Sequence, residues 1–367
     1  MEKTRVIFTV QGEGHGHMTQ ARRALSILKK HNFELCAVFL GRNNNTLIPE
    51  HFQNEMNCEI IPIRSLELIS SRDHRHNHIL TSILGNMYRF SPLMETIKKL
   101  DKGIKKYKPD LILNFYEPLM GLYNFFYSNK IPVISLGHQF LFVHPDFPVK
   151  TESKVNKKFL DLATNIVGIK SKKKLALSFY PLKDAEKKNL FVIPPLINTD
   201  ILESLNIEPN NHYTVYLNRP GFLDTIKKWQ KENDHIQFFC FTNLPEIKEL
   251  TEIQPNFYLH PLDQKSFINK VASGYGLITT AGFESVCEAA YIGKPVLMLP
   301  MHIEQEINGA DAHYFGIGIV QREPEIESFK KFISNEDKFK ITSDKFKEWM
   351  ASAEQKFISE IQSVISN

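Results

Sequence analysis

The sequence predicts an α/β protein made of two doubly wound domains, each with a parallel sheet between layers of helices. Short apolar runs of strand length alternate with stretches of helical spacing along the whole chain. Glycine-containing turns follow several of these runs, as is typical where a parallel strand leads into a helix. With 367 residues, the chain is long enough for two domains that each bury a core.

Strands are predicted in two series. The first lies at 5–10, 34–40, 59–63, 111–115, 132–136, 165–169 and 190–193, with a long helical stretch from Ile79 to Tyr107. The second lies at 213–218, 237–242, 256–259, 276–280 and 295–299, and a helical run ends the chain. Because consecutive prolines fit neither a helix nor a strand, Pro194-Pro195 marks the boundary. We expect an N-terminal domain at 1–194, a C-terminal domain at 195–344 and a final helix at about 345–367.

The composition is that of a soluble globular protein, with 42 % hydrophobic and 23 % charged residues. A net charge of +4 is too small to indicate a nucleic-acid partner, although it would tolerate peripheral contact with an anionic membrane. Four cysteines without paired spacing indicate reduced thiols and exclude a disulfide framework. No signal peptide or membrane span is recognisable, so we expect a cytoplasmic protein whose membrane contact, if any, is peripheral at the inner face.

The first glycine turn is one of two chemical centres in the sequence. It joins the first strand to the first helix and contains Gly14, His15, Gly16 and His17. The third glycine of a dinucleotide fingerprint is absent, and so is an acidic residue at the end of the second strand, which argues against a dehydrogenase. A histidine at this position can accept a proton from a hydroxyl group in the cleft. Helix capping or electrostatic binding of phosphate is the alternative role for both histidines.

The second centre is the stretch from Ile278 to Gly318, which predicts strand, glycine turn, helix, strand, loop and helix. A glycine before a helix lets a ligand approach the backbone N–H groups, and the helix N-terminus favours phosphate. Carboxylates and amides at strand ends suit a polyhydroxylated ligand. The candidate ligand-binding residues are Gly282, Phe283, Glu284, Ser285, Glu288, His302, Glu304, Gln305 and Asn308.

Weaker candidates lie at other predicted strand ends. Glu117 follows the strand at 111–115, and His138 and Gln139 follow the next strand, so these side chains belong at the ligand-binding edge of the sheet. Loop capping or hydrogen bonding in the core is the alternative for each. Arg219 ends a strand of the second series and is a candidate for phosphate contact. The cluster His74, Arg75, His76 and His78 has too few accompanying carboxylates or cysteines for a metal site, and we interpret it as an acceptor-side loop.

Together these motifs resemble the GT-B glycosyltransferases of the family-28 type. That type includes the lipid II-forming bacterial enzyme, plant galactolipid synthases and UDP-glucuronosyltransferases. The shared pattern comprises Gly282, Ser285, Glu288-Ala289, Gly293-Lys294-Pro295, Pro300, Glu304-Gln305 and Asn308, together with the turn that carries His15 and His17. Ala281 departs from it by replacing a glycine, and Gly309 separates Asn308 from Ala310. The segment around Glu117 resembles the D-x-E-P element of a bacterial and archaeal subgroup, with Asn114 replacing the aspartate.

The resemblance implies two Rossmann-like domains facing a central cleft, with the last helix packing back on the N-terminal domain. It also implies an inverting, metal-independent transfer of a sugar from a UDP-linked nucleotide-sugar to a hydroxyl of a glycan or lipid-linked acceptor, without a cofactor. In this reading His17, His15 or Glu117 is the proton acceptor. Gly14, Gly16, His138 and Gln139 lie on the acceptor side, and the Gly282–Asn308 candidates with Arg219 bind the donor. A UDP-N-acetylhexosamine 2-epimerase and a non-catalytic nucleotide-sugar or glycan-binding protein are the alternatives.

Overall fold

The computed structural model describes most of the chain. The described residues are 3–12, 14–42, 48–65, 90–127, 130–151, 153–205, 207–217, 220–242, 244, 246–321, 325–334 and 340–366. They form two sheets of seven strands each, with helices packed against both. No described helix is long and apolar enough to cross a membrane.

The first sheet is entirely parallel and has the order β3-β2-β1-β4-β5-β6-β7. Its strands are β1 (Thr4–Gln11), β2 (Phe33–Gly41), β3 (Glu59–Ile63), β4 (Leu111–Phe115), β5 (Val133–Gly137), β6 (Lys173–Leu177) and β7 (Leu190–Ile193). The central strands β4 and β5 are buried along their whole length, which explains why they are apolar except for Asn114 and Ser135. The order changes direction between β1 and β4, and ligands of open α/β sheets bind at such a switch point.

The second sheet has the order β10-β11-β9-β8-β12-β13-β14. Its strands are β8 (His212–Leu217), β9 (Gln237–Thr242), β10 (Thr251–Gln254), β11 (Phe257–Pro261), β12 (Leu277–Thr279), β13 (Val296–Met298) and β14 (Gly318–Val320). Only the edge strand β10 runs antiparallel to its neighbour. The switch point between β8 and β12 leads into the Ile278–Gly318 stretch, so this stretch lies where a ligand should bind.

Thirteen helices are described. They are α1 (Gly16–Lys30), α2 (Glu50–Met56), α3 (Phe90–Tyr107), α4 (Pro118–Phe126), α5 (Lys154–Val167), α6 (Thr199–Glu203), α7 (Leu223–Glu232), α8 (Gln264–Ser273), α9 (Phe283–Ile292), α10 (Ile303–Phe315), α11 (Ile326–Ile333), α12 (Lys340–Met350) and α13 (Ala353–Ile365). Short 3₁₀ turns lie at His138–Val143, Glu186–Lys188 and Pro220–Phe222.

One strand prediction in the first domain was wrong. The stretch 165–169, predicted as a strand, is the end of α5 and the turn after it. The sixth strand is instead Lys173–Leu177, which begins with two lysines. On this strand the Lys173 ammonium lies 4.2 Å from the ring centre of Phe191 and binds Glu360 of α13. The polar start of β6 is therefore covered by the last helix, and the sequence does not reveal that cover.

The last two helices contact elements of both halves of the chain. The Trp349 Nε1 of α12 donates to the carbonyl oxygen of Ser178, after β6, at 2.9 Å. Helix α13 then contacts β7 and α1, and Lys30 of α1 pairs with Glu354 at 3.1 Å. The predicted domain boundary at 194/195 stays a prediction, and it falls between the last strand of the first sheet and the first strand of the second.

Candidate functional site

The candidate site is a cleft between the carboxyl edges of the two sheets, and side chains meet directly across it. The Gln20 amide, on α1, donates to Glu284 Oε1 on α9. Gln139 Nε2, after β5, donates to Glu304 Oε1 on α10 at 2.9 Å. Arg22 of α1 donates to the amide oxygen of Gln264, the first residue of α8. The two halves of the candidate site therefore face each other, as the resemblance implies.

The first glycine turn brings the backbone of α1 close to α9. Gly14 has a φ of +126°, a conformation that L side chains rarely adopt. A side chain at Gly16 would collide with the Glu284 carboxylate, so a glycine is required for this approach. His15 is the N-cap residue of α1, and its carbonyl oxygen accepts from the backbone and hydroxyl of Thr19. Gly14 therefore has a conformational reason to be glycine, and Gly16 a steric one.

His17 is partly buried at the start of α1. Its ring stacks on Tyr116, with centroids 5.5 Å apart and an angle of 21° between the planes. Its Nδ1 lies 3.4 Å from Gln20 Oε1, an acceptor, so we assign the proton to Nδ1. Burial lowers the pKa of His17 to about 4, against the weaker opposing effect of the Gln20 hydrogen bond. At neutral pH the ring is uncharged, and its Nε2 is able to accept a proton.

Glu117 lies at the same sheet edge but is directed into the N-terminal domain. Its side chain is completely buried, and its Oε1 accepts from the backbone N–H of Leu119 at 3.1 Å, as the N-cap of α4. The hydroxyl of Ser65 donates to the same oxygen at 2.9 Å. A side chain at Gly41 would collide with the other oxygen. These contacts match loop capping and hydrogen bonding in the core, the alternative roles given above for Glu117.

Asn114, the residue that departs from the subgroup pattern, is a hydrogen-bond junction inside the sheet. Its Oδ1 accepts from the Thr9 hydroxyl and from the backbone N–H of Glu117, both at 2.9 Å. Its amide nitrogen donates to Ser135 Oγ at 3.2 Å. An aspartate could not donate this last bond, so the asparagine fits a structural position.

The turn before α9 has an unusual backbone. Ala281, where the resembling family has glycine, adopts φ +61° in the left-handed region. Asn308 Nδ2 donates to the Ala281 carbonyl at 3.2 Å and holds the turn from α10. Gly282 is then the N-cap of α9, and the Ser285 hydroxyl donates back to its carbonyl at 3.1 Å. The first N–H groups of a helix have no partner within the helix itself, so this helix start is suited to bind an anion.

Two glutamates lie one helical turn apart on α9. Burial raises the pKa of Glu288 to about 8, and the neighbouring Glu284 adds to the effect, while Gln264 and Arg22 oppose it. Burial likewise raises the pKa of Glu284 to about 7, and Glu304 contributes in the same direction. Both carboxyls therefore titrate near neutral pH in the ligand-free cleft. Groups so perturbed in a cleft are typical of functional sites.

The loop and first turns of α10 supply the other candidates. His302 is the N-cap residue, and burial raises the pKa of Glu304. Gln305 is turned towards the β12 end, with its Oε1 accepting from the Met301 N–H at 2.9 Å and its Nε2 donating to Thr280 at 3.3 Å. Glu304 is thus directed at the N-terminal domain, whereas Gln305 supports the loop that shapes the C-terminal side.

A second cluster bridges the domains beside the cleft. The His138 ring stacks on Phe283, the first residue of α9, with centroids 3.9 Å apart. His138 Nδ1 donates to the Leu177 carbonyl at 2.7 Å, which leaves Nε2 facing Asp311 Oδ2 at 3.6 Å. The Tyr180 hydroxyl donates to Asp311 Oδ1 at 2.6 Å. Burial lowers the pKa of His138 to about 3 and raises that of Asp311 to about 7.

The structure brings together candidates that are far apart in sequence and adds residues that the sequence analysis missed. Around one cleft lie Gly14, His15, Gly16, His17, Gln139, Glu284, Ser285, Glu288 and Glu304, with His138 and Phe283 beside it. The missed residues are Gln20, Arg22, Tyr116, Tyr180, Gln264 and Asp311. The spacing of Glu304, Asn308 and Asp311, four and three residues apart, is the signal that could have identified the last.

Several candidates cannot be placed. Arg219 and the cluster His74, Arg75, His76 and His78 lie outside the described residues. Among the residues that are described, no group of three or more histidine, cysteine, aspartate or glutamate side chains is arranged to hold a metal ion.

Comparison with known proteins agrees with this geometry. The profile of the family described as glycosyl transferase family 1 matches residues 4–336. No functionally curated protein matches the chain. Among solved structures, the calicheamicin glycosyltransferase CalG4 superposes with a TM-score of 0.64 at 12 % identity, over 100 % of this chain and 99 % of its own. UGT89C1 of Arabidopsis thaliana, bound to quercetin, gives 0.66 at 14 % identity over 99 % of both chains. UGT2 of Phytolacca americana, bound to UDP-2-fluoroglucose and pterostilbene, gives 0.64 at 15 % identity over 99 % of this chain and 100 % of its own.

Proposed function

Because the chain belongs to glycosyl transferase family 1, we propose that this GT-B glycosyltransferase moves a sugar from a UDP-sugar to a hydroxyl acceptor, with inversion and without a metal ion. The observation that carries the proposal is the series of hydrogen bonds from His17 through Gln20 to Glu284, which joins the first glycine turn to the start of α9. UDP as the nucleotide is supported by the Phytolacca enzyme, which is bound to UDP-2-fluoroglucose.

In this proposal the C-terminal domain binds the donor. Glu288 accepts hydrogen bonds from the ribose diol, and the start of α9 with Ser285 binds the diphosphate. Glu304 and Gln305 contact the sugar hydroxyls. Because N–H groups and the α9 dipole face the diphosphate, they stabilise the negative charge that develops on the leaving UDP. These donors take the place of a divalent cation.

The N-terminal domain supplies the proton acceptor and binds the acceptor substrate, whose hydroxyl attacks the sugar. Inversion needs one displacement at the anomeric carbon, with a base that removes the hydroxyl proton from the opposite side. His17 is favoured because its ring faces the cleft and is uncharged, whereas Glu117 is completely buried and caps α4. His15 is the second candidate. For the acceptor we propose a lipid-linked or cell-surface glycan, the class that the sequence resemblance suggests.

A panel of UDP-sugars, incubated with and without candidate acceptors, tests the proposal. A transferase releases UDP only when the acceptor is present, a 2-epimerase yields an isomeric UDP-sugar, and a binding protein yields neither product. Activity should persist in excess EDTA because helix termini and backbone N–H groups carry the diphosphate charge. Loss of activity in EDTA that magnesium or manganese restores would contradict the metal-independent mechanism.

A further inference from the structure

Gln20 is buried between the two halves of the molecule, and the proposed reaction assigns no chemical step to it. It lies on α1, three residues after His17, and is 1 % exposed. Its amide oxygen lies 3.4 Å from His17 Nδ1, and its amide nitrogen donates to Glu284 Oε1 on α9. The two ends of one amide therefore contact the candidate base and the opposite half of the site.

Glu284 determines which way this amide faces. A carboxylate only accepts hydrogen bonds, so the amide nitrogen of Gln20 faces Glu284 and its oxygen faces His17. The carboxylate itself lies against Gly16 of α1, where a side chain would collide with it. An oxygen opposite Nδ1 requires a proton on that nitrogen, so Nε2 keeps its lone pair for the proton of the acceptor. Reversing the amide would move the ring proton to Nε2, which could then no longer act as the base.

We propose that Gln20 is a positioning residue for His17, which holds the ring in the Nδ1–H tautomer and makes that tautomer depend on Glu284. The inference rests on the proposed function, in which His17 is the base. The stack on Tyr116 supports the plane of the ring, whereas the bond to Gln20 distinguishes its two nitrogens. When a sugar hydroxyl replaces the amide at Glu284, the hydroxyl oxygen accepts from the amide nitrogen, so the amide keeps its direction. The base is thus oriented from across the cleft.

Nitrogen-15 NMR of the ligand-free protein with labelled histidines measures the tautomer directly. At pH 8.5 His17 is uncharged, because burial lowers its pKa to about 4, and Glu284 is ionised, because burial raises its pKa only to about 7. His17→Ala identifies the signals of His17 among those of the 14 histidines. We expect the Nδ1–H tautomer in the unaltered protein and a mixture with Nε2–H in Gln20→Met, which keeps the length of the side chain but not its hydrogen bonds. Glu284→Gln should also give a mixture, because a second amide can bond Gln20 in either direction.

Gln139→Met is the matched control. It removes the other amide that crosses the cleft, the one that donates to Glu304, and the tautomer of His17 should stay that of the unaltered protein. At saturating donor, Gln20→Met should lower kcat about tenfold, short of the loss of about 10²–10⁴-fold expected for His17→Ala, with the affinity for UDP unchanged within about twofold. An Nε2–H tautomer in the unaltered protein, or unchanged tautomers in both Gln20→Met and Glu284→Gln, would overturn the inference, as would an unaltered kcat in Gln20→Met. The absence of acceptor-dependent UDP release by the unaltered protein would instead overturn the proposed function.

Discussion

Replacing Asp311 by asparagine should stabilise the protein at alkaline pH, although the aspartate is buried among polar partners. Asp311 is fully buried between the domains, and burial raises its pKa from 3.8 to about 7. The folded protein therefore holds the proton more tightly than the unfolded chain does. The stability that protonated Asp311 contributes is present at low pH and is lost as the pH rises through 7.

The magnitude follows from the two pKa values. At about 1.4 kcal/mol per pH unit, ionising Asp311 in the folded protein costs up to about 4 kcal/mol. Asparagine has the shape of the protonated acid, can accept from Tyr180 and can donate to His138 Nε2. Its advantage over aspartate should grow from about 2 kcal/mol at pH 5 to about 4 kcal/mol at pH 8.5. The change of this stability difference between pH 5 and pH 8.5 is the quantity to compare, because it does not depend on how well the amide packs.

Thermal unfolding of the ligand-free protein between pH 5 and 8.5 measures this difference. Tyr180→Phe is the matched variant, because it keeps the ring but removes the hydroxyl that lowers the pKa of Asp311. In Tyr180→Phe, the fall in stability that accompanies ionisation of Asp311 should therefore extend to higher pH. If Asp311→Asn is less stable than the unaltered protein at pH 8.5, or if the two pH curves run parallel, Asp311 is ionised in the folded state and the reasoning is wrong.

Three further predictions concern the site. Glu288→Ala should weaken UDP binding by about 1.5–3 kcal/mol while folding is nearly unchanged, and unaltered affinity in calorimetry would remove Glu288 from the ribose site. His17→Ala should lower kcat by about 10²–10⁴-fold at saturating donor. In the unaltered protein, the acidic limb of the pH profile should lie below the ordinary histidine range, because burial lowers the pKa of His17. The variant should lack this limb. If His15→Ala is the inactive variant instead, the base is His15. If Glu117→Gln is the inactive variant, the base is the buried carboxylate of Glu117. Ala281→Gly should raise the free energy of unfolding by up to about 1 kcal/mol, because glycine relieves the left-handed strain; a clear loss of stability would show that the buried methyl group matters more.

Much of the C-terminal half of the site could be predicted because its information is local. The strand, glycine turn and helix around Gly282 follow from residues adjacent in sequence, and the αL glycine Gly293 ends α9 as its position predicts. In the N-terminal half, 165–169 read as a strand because Ile166, Val167 and Ile169 are β-branched. Ile166 and Val167 instead continue the amphipathic face of α5, and Ile169 lies in the turn after it. β6 was not predicted because its first residues are lysines. The helix that covers them, α13, lies at the far end of the chain, so the sequence around β6 does not show that they are covered.

The contacts across the cleft could not be predicted either, because they join residues that are far apart in the sequence. In the sequence, Gln20 is an ordinary polar residue of α1. Its hydrogen bond to Glu284 depends on how the two halves of the protein pack together. Tyr116 acquires significance from its stack on His17, and its φ of +57° could not be inferred from residue type. The sequence thus indicated the charged groups that we propose for the chemistry, but not the uncharged residues that contact them across the cleft.

The amides opposite Glu284 and Glu304 have a consequence for turnover. A cleft that closed on bare carboxylates would leave buried charges without hydrogen bonds, and departure of the product would then be opposed by that cost. Here Gln20 and Gln139 can bond the carboxylates again as soon as the transferred sugar leaves. We therefore expect them to compete with the sugar of the bound donor, so that Gln20→Ala and Gln139→Ala would lengthen the residence time of a UDP-sugar but not that of UDP.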